Sequence, residues 1–182
     1  MKDTNIAIIE GAGVGTAGPD LASAYLKSQS AIQVQFKRLH EDSVLPSRAH
    51  PTDAGFDLSA HTSAWTTKEK PTTVLSPRGR MLVPTGVAVV IPEGYVGLVC
   101  PRSGLAANHG ITITNAPGII DSGYRGELMV ILQNTRDVPF VIQHGDRIAQ
   151  LVVTPALHVD AVEIDELPEA DRGDNGGGST GV

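Results

Sequence analysis

From Ala31 onward, apolar residues alternate with polar ones or sit in short continuous runs, the two patterns that β-strands produce. Ile32, Val34 and Phe36 alternate with polar partners. Met81 to Ile91, Tyr95 to Cys100, Ile111 to Thr114, Leu128 to Leu132, Val138 to Ile142 and Ile148 to Val153 are rich in Val, Ile and Thr, which suit a pleated, half-buried surface. Turn formers separate them: Ser76-Pro-Arg-Gly79, Pro92-Glu-Gly94, Arg136-Asp137 ahead of Val138-Pro139, and His144-Gly-Asp146. Many short strands at near-regular spacing predict an all-β fold, a jelly-roll-like barrel or sandwich. Only Ser103 to His109, with Ser at its start and Gly110 as a stop, predicts a helix, short and placed in the core.

The two ends of the chain break this pattern. Ile6-Ala-Ile-Ile9 predicts a short strand, a glycine-rich run from Gly11 to Gly18 follows, and Asp20 is placed to cap a brief helix through Lys27. Gly13, Gly15 and Gly18 have the spacing of a dinucleotide fingerprint. A working fingerprint needs a βαβ unit and an acid about 20 residues further on, whereas Ser28-Gln-Ser30 ends this segment. Residues 1–30 therefore read as a flexible N-terminal extension, 31–165 as one β domain, and 166–182, where apolar periodicity is lost, as a mobile C-terminal tail.

At 182 residues the chain is long enough to bury a core without staples. Cys100 is the one cysteine, a packed thiol that forms no disulfide within a chain and fits a reducing, cytoplasmic setting. Runs such as Val87 to Ile91 are too short for a membrane helix, and a signal-peptide pattern is missing from the start. The net charge of −6 and the lack of a Lys/Arg block argue against a nucleic acid polymer as ligand. A small anion held by local Arg side chains and a cation stays open.

Candidate chemistry concentrates in Gly118-Ile-Ile-Asp-Ser-Gly-Tyr-Arg-Gly-Glu127, which joins an acid, an aromatic ring and an Arg on a glycine-rich bend between apolar strands. Gly118, Gly123 and Gly126 are expected to supply left-handed backbone angles or close ligand approach. Asp121 could activate water there; the plainer alternative is a turn-forming Asp, with Tyr124 at a rim and Arg125 paired to Glu127 in solvent. The Arg102-Ser103-Gly104 corner offers a guanidinium, a hydroxyl and the free N–H groups of a helix start, a suitable anion site, although Arg102 could equally pair with a surface acid. Asp57, in Asp53-Ala-Gly-Phe-Asp-Leu58, could hold a hydrated Mg²⁺ or form another Asx turn. Gln150 is polar within an apolar strand and needs a core partner or a ligand. Arg172 is either linker or a phosphate clasp. No Walker lysine, zinc-protease His pair or serine elbow is present, and the six His are scattered without metal-ligand spacing.

In their order and separation these segments resemble the five motifs of the homotrimeric dUTP diphosphatases, over about residues 31–182: Ala54-Gly-Phe-Asp-Leu-Ser-Ala60, Pro101-Arg-Ser-Gly-Leu-Ala106, Asn115 with Gly118 to Glu127, Gly145-Asp-Arg-Ile-Ala-Gln150, and Arg172-Gly173 with Gly178-Ser-Thr-Gly181. The resemblance implies a jelly-roll homotrimer with shared active sites that hydrolyses dUTP to dUMP and diphosphate with Mg²⁺. By the same resemblance Asp121 would align and deprotonate the attacking water, helped by Gln150. Tyr124 would pack under the deoxyribose and exclude a 2′-hydroxyl. Asn115 with backbone near Ile119, Ile120 and Met129 would read uracil in a hairpin too narrow for thymine's methyl. Arg102, Ser103, Gly104 and Gln150 would contact phosphates, Asp57 would hold a water of the Mg²⁺, and Arg172 with Gly178, Ser179 and Thr180 would close as a lid.

The family usually places an aromatic ring before that Gly-Ser-Thr, to stack over the base; here the position is Gly177. Two other functions compete. A dCTP deaminase-like enzyme would share the fold but attack the base, and that group tends to carry Trp where this chain has Tyr124. A trimeric protein that binds nucleotide without turnover is the third reading.

Overall fold

The computed structural model describes residues 7–10, 13–16, 32–65, 72–169 and 173. Near the start, β1 (Ala7–Glu10) and β2 (Gly13–Thr16) form an antiparallel hairpin in which Ile9 pairs with Val14. The helix expected from Asp20 to Lys27 lies outside the described residues.

The domain is two four-stranded antiparallel sheets sharing one core. The first sheet runs β3 (Gln35–Arg38), β6 (Arg80–Val90), β10 (Glu127–Asn134), β8 (Ile111–Ile113). The second runs β4 (Gly55–Ser59), β12 (Arg147–Pro155), β7 (Tyr95–Cys100), β9 (Gly118–Ile120). A two-stranded sheet of β5 (Thr72–Leu75) and β11 (Phe140–Gln143) completes the all-β, jelly-roll-like fold. β6 is buried on both faces from Val83 to Val89, which explains its continuous apolar run, whereas β12 buries Ile148, Ala149 and Leu151 and leaves Arg147 exposed. Leu58, Val83, Leu128, Leu132, Val99 and Leu151 come from both sheets and are almost fully buried in one cluster.

The expected strands are present with shifts of a few residues at their ends; β2, β4, β5 and β9 are additional. Three of them, β2, β4 and β9, are short and contain Gly, so propensity alone is a poor guide to them. The helix α1 (Ser103–His109) forms and stops at Gly110, whose φ of 64° is left-handed and whose N–H reaches the Ala106 and Leu105 carbonyls. It is not a core helix: none of its residues is buried in this chain, and only Leu105 packs against the core.

The fold also corrects the picture of a single glycine-rich hairpin. β9 and β10 belong to different sheets, so the 121–126 loop crosses from one sheet to the other. Left-handed glycines stand elsewhere, at Gly86, Gly94, Gly110, Gly145 and Gly173. In the loop, Gly118 and Gly126 serve close approach instead: a methyl at Gly118 would sit 3.3 Å from Asn115 Nδ2, and one at Gly126 would sit 2.5 Å from the Tyr124 hydroxyl. Gly123 has open space around it.

Asn134, 1% exposed, ties the end of β10 to two neighbouring turns. Its Nδ2 donates to the Val138 carbonyl at 2.8 Å and more weakly to those of Leu75 and Ser76, while its Oδ1 accepts from Arg136 N at 3.0 Å. An apolar side chain here strands several buried groups. Asn134→Ala should lower unfolding stability by about 1–3 kcal/mol in a denaturant titration, the cost of unpaired buried polar groups; a midpoint unchanged from wild type would reject that role.

Candidate active site

Four polar side chains converge on one face of the second sheet. Opposed residues in an antiparallel pair share a face, and Gln150 lies opposite both Asp57 on β4 and Cys100 on β7. Asp57 is 17% exposed and bridges two cations: Oδ1 is 3.0 Å from Arg102 Nε, and Oδ2 is 3.0 Å from Arg147 Nη1. Arg102 also donates through Nη1 to the Arg147 carbonyl at 3.0 Å. These contacts fix the guanidinium at the mouth of α1, where Arg102 occupies the N-cap position with extended backbone and makes no side-chain cap bond. Ser103 is therefore the first helical residue, not the cap, and both it and Gly104 are exposed.

Gln150 has its core partner: Nε2 donates to the Pro101 carbonyl at 3.0 Å. Gly55 makes room for it, since a methyl there would lie 2.7 Å from Gln150 Oε1. Beside these groups opens a cleft of about 320 Å³ lined by Arg102, Leu105, Phe140, Asp146, Arg147 and Ile148. That is near the lower limit for a small-molecule site. Arg102 and Arg147 put two guanidiniums on the cleft wall, groups suited to phosphate oxygens, and in the free chain the carboxylates of Asp57 and Asp146 balance them.

The second group of expected residues lies elsewhere. Asn115, on the β8–β9 turn, packs its amide against Gly118. Ile119 is exposed, Ile120 turns toward the core, and Met129 is exposed on β10. Asp121 is exposed as the chain leaves β9, and its carbonyl accepts from Tyr124 N at 3.0 Å in a tight turn. Tyr124 lies over Gly126 with its hydroxyl donating to the Glu127 carbonyl at 2.8 Å. Arg125 does not pair with Glu127: it donates to the carbonyls of Ser122 and Tyr124, and Glu127 Oε1 instead accepts from Gly86 N at 2.6 Å.

Within one chain the two groups are apart. Ile120 pairs with Gly97, which pairs with Val153, placing Ile120 two strands across and three residues along β12 from Gln150. At sheet spacings that is roughly 14 Å. Asp121 therefore does not meet Gln150 in a single copy. Arg172, Gly178, Ser179 and Thr180, and Gly177, lie outside the described residues. Arg147 is the residue that motif reading passes over; it stands inside Gly145 to Gln150, but strict strand alternation would put it on the face opposite Gln150.

A family model described as dUTPase matches residues 41–181. The chain belongs to the dUTPase family. It is 49% identical over 138 residues to the deoxyuridine 5′-triphosphate nucleotidohydrolase of Tropheryma whipplei (strain Twist), spanning 75% of this chain and 88% of that one. It is 46% identical over 150 residues to the enzyme of the same name from Syntrophotalea carbinolica, spanning 82% of this chain and 97% of that one. Among solved structures, the Staphylococcus bacteriophage 80alpha dUTPase with dUpNHpp superimposes with a TM-score of 0.70 at 31% identity, covering 82% of this chain and 99% of that one. A mutant of the dUTPase from phage phi11 of S. aureus, described with a structural Mg(II) ion, gives 0.64 at 31% identity, covering 74% and 97%.

In this dUTPase-family chain the Tyr124 hydroxyl is what pins the ring across its loop. Tyr124→Phe should reduce stability by about 1 kcal/mol, the net worth of one hydrogen bond, and speed amide exchange at residues 122–127. Exchange rates in that loop equal to wild type would show that the bond restrains nothing.

Proposed function

We propose that this chain hydrolyses dUTP to dUMP and diphosphate by water attack on the α-phosphorus, as a cytoplasmic homotrimer whose sites draw residues from more than one copy. The enzyme is a dUTP diphosphatase. What carries this reading is the near-complete coverage of relatives named for that activity, supported by the Asp57–Arg102–Arg147–Gln150 cluster beside a cleft.

Two observations support shared sites. Asp121 and Tyr124 are too far from Gln150 to act with it in one chain. Moreover, Leu157, Val159, Val162, Ile164 and Leu167 are all more than half exposed on a strand-free stretch after β12, an apolar run that needs a partner surface. A second copy supplies that surface and brings its Asp121 loop to the neighbour's phosphate cleft.

On this reading Arg102, Ser103, Gly104 and Gln150 bind phosphate oxygens, and Asp57 holds Arg102 and Arg147 extended before substrate arrives, so little reorganisation is left to the chemical step. Asp121 orients water in line with the leaving diphosphate and accepts its proton. Tyr124 packs against the sugar, and Asn115 with the backbone at Ile119, Ile120 and Met129 reads the base. Residues 166–182, with Arg172, Gly178, Ser179 and Thr180, close over the phosphates, and residues 1–30 stand outside the catalytic domain.

Mg²⁺ suits this site through the substrate. Asp57 is an anionic oxygen donor, and with one contact to each oxygen it keeps lone pairs for water. Flanked by two Arg, it has little attraction for a bare cation, so the ion would arrive already chelated by triphosphate, held by Asp57 through water. Bound there, it neutralises charge on the phosphates.

Asp121→Asn keeps shape but removes basicity, and should lower turnover by roughly 10²–10⁴ with nucleotide binding retained. Diphosphate release near the wild-type rate would overturn the assignment. Tyr124→Ala removes the group that excludes a 2′-hydroxyl, so kcat/KM should fall more for dUTP than for UTP. An unchanged ratio between the two substrates means the ring does not select the sugar.

A further inference from the structure

The six His have no metal-ligand spacing along the chain, yet the fold gathers two of them with an acid at one end of the barrel. We propose that Asp42, His61 and His144 form a binding site for a divalent cation that favours imidazole, with Zn²⁺ as the type. One ligand atom from each residue lies within 4.8 Å of the others. His61 Nε2 is 2.9 Å from Asp42 Oδ1, and His144 Nε2 is 4.0 Å from Asp42 Oδ2. Ligands of a tetrahedral zinc stand about 3.3 Å apart, given metal–ligand distances near 2.0–2.2 Å. These two spacings straddle that value, and closing the site turns His144 Nε2 from the Asp42 main-chain carbonyl, 3.1 Å away, toward the carboxylate.

The surroundings fit the chemistry. His61 is 3% exposed, and its ring is held in plane by His40, stacked at 4.5 Å and 7°. Its Nδ1 is buried without a hydrogen-bond partner, and so is the nearby Ser43 Oγ; both residues crowd the space above Gly86. A cation on Nε2 would place the proton of neutral His61 on Nδ1, in the space above Gly86 that Ser43 Oγ also occupies. His144 Nδ1 already has an outer partner in Ser63 Oγ at 3.2 Å, the kind of contact that orients a ligating imidazole. Asp42 supplies the anionic ligand, since an aspartate carboxyl is ionised at neutral pH. Asp42 is half-exposed, leaving a fourth position for water and a path of entry.

The three ligands come from the β3–β4 connection, the residue pair after β4, and the β11–β12 turn. A bound cation therefore cross-links Asp42 to residues 19 and 102 positions further along the chain. The site is distinct from the phosphate cleft and its existence does not depend on the hydrolase reading.

The test uses full-length, untagged protein stripped with chelator, titrated with Zn²⁺ by calorimetry and with Co²⁺ by visible absorption. Expected are one ion per chain, tetrahedral Co²⁺ bands, a raised melting temperature, and no competition from Mg²⁺ at equal concentration, because imidazole ligands disfavour that ion. His144→Gln and Asp42→Asn, both at least partly exposed and safer for folding than changes at His61, should each weaken binding at least ~10–100-fold. The double variant His109→Gln and His158→Gln, outside the cluster, should bind as wild type. Absence of saturable binding, displacement by Mg²⁺, or affinity unchanged in both His144→Gln and Asp42→Asn would each overturn the site.

Discussion

The candidate site of this chain depends on one extra residue in β12. Arg147 pairs with Ser59 and Ala149 with Leu58, so Ile148 is bulged out of register against β4. Strict alternation would place Arg147 and Gln150 on opposite faces. The bulge returns Arg147 to the face of Ser59 and Asp57, where Gln150 also stands, while Ile148, Ala149 and Leu151 remain buried. Without it Asp57 would hold one Arg instead of two, and the cleft would lose half of its cationic wall.

A related irregularity shapes the other half. The register between β10 and β6 shifts between Glu127 and Met129, with left-handed Gly86 in the gap. There the Glu127 side chain accepts from Gly86 N, and Thr85 Oγ1 donates to the Leu128 carbonyl at 2.7 Å. These bonds anchor the end of the loop that carries Asp121 and Tyr124. Both halves of the candidate site are thus set by bulges, which re-aim side chains at sheet margins without disturbing the core.

What was legible in the chain follows from the same physics. Val- and Ile-rich runs marked the central strands because burial, on both faces of β6 and on the core face of β12, leaves a strong apolar signal. Gly110 and the His144-Gly-Asp146 turn showed their positions because left-handed or tight backbone favours few residue types. Asp57, Arg102, Asp121 and Gln150 stood out as polar residues in apolar company, and their segments carried the family resemblance. The role of Arg147 was hidden, since a bulge has no periodic signature. So was the His cluster, whose members meet only through long-range pairing, and so was the split between sheets at β9 and β10, which looks like a hairpin when only neighbours in sequence are considered.

The distance between the Asp57–Arg102–Arg147–Gln150 cluster and the Asp121 loop has a genetic consequence. If a complete site takes one group from each of two copies, a subunit lacking the Arg102 guanidinium and a subunit lacking the Asp121 carboxylate are both inert as pure assemblies. In mixed assemblies, however, some sites would pair the intact face of one with the intact loop of the other. Two inactivating alleles in this gene would then complement each other within the oligomer, while two alleles damaging the same half would not.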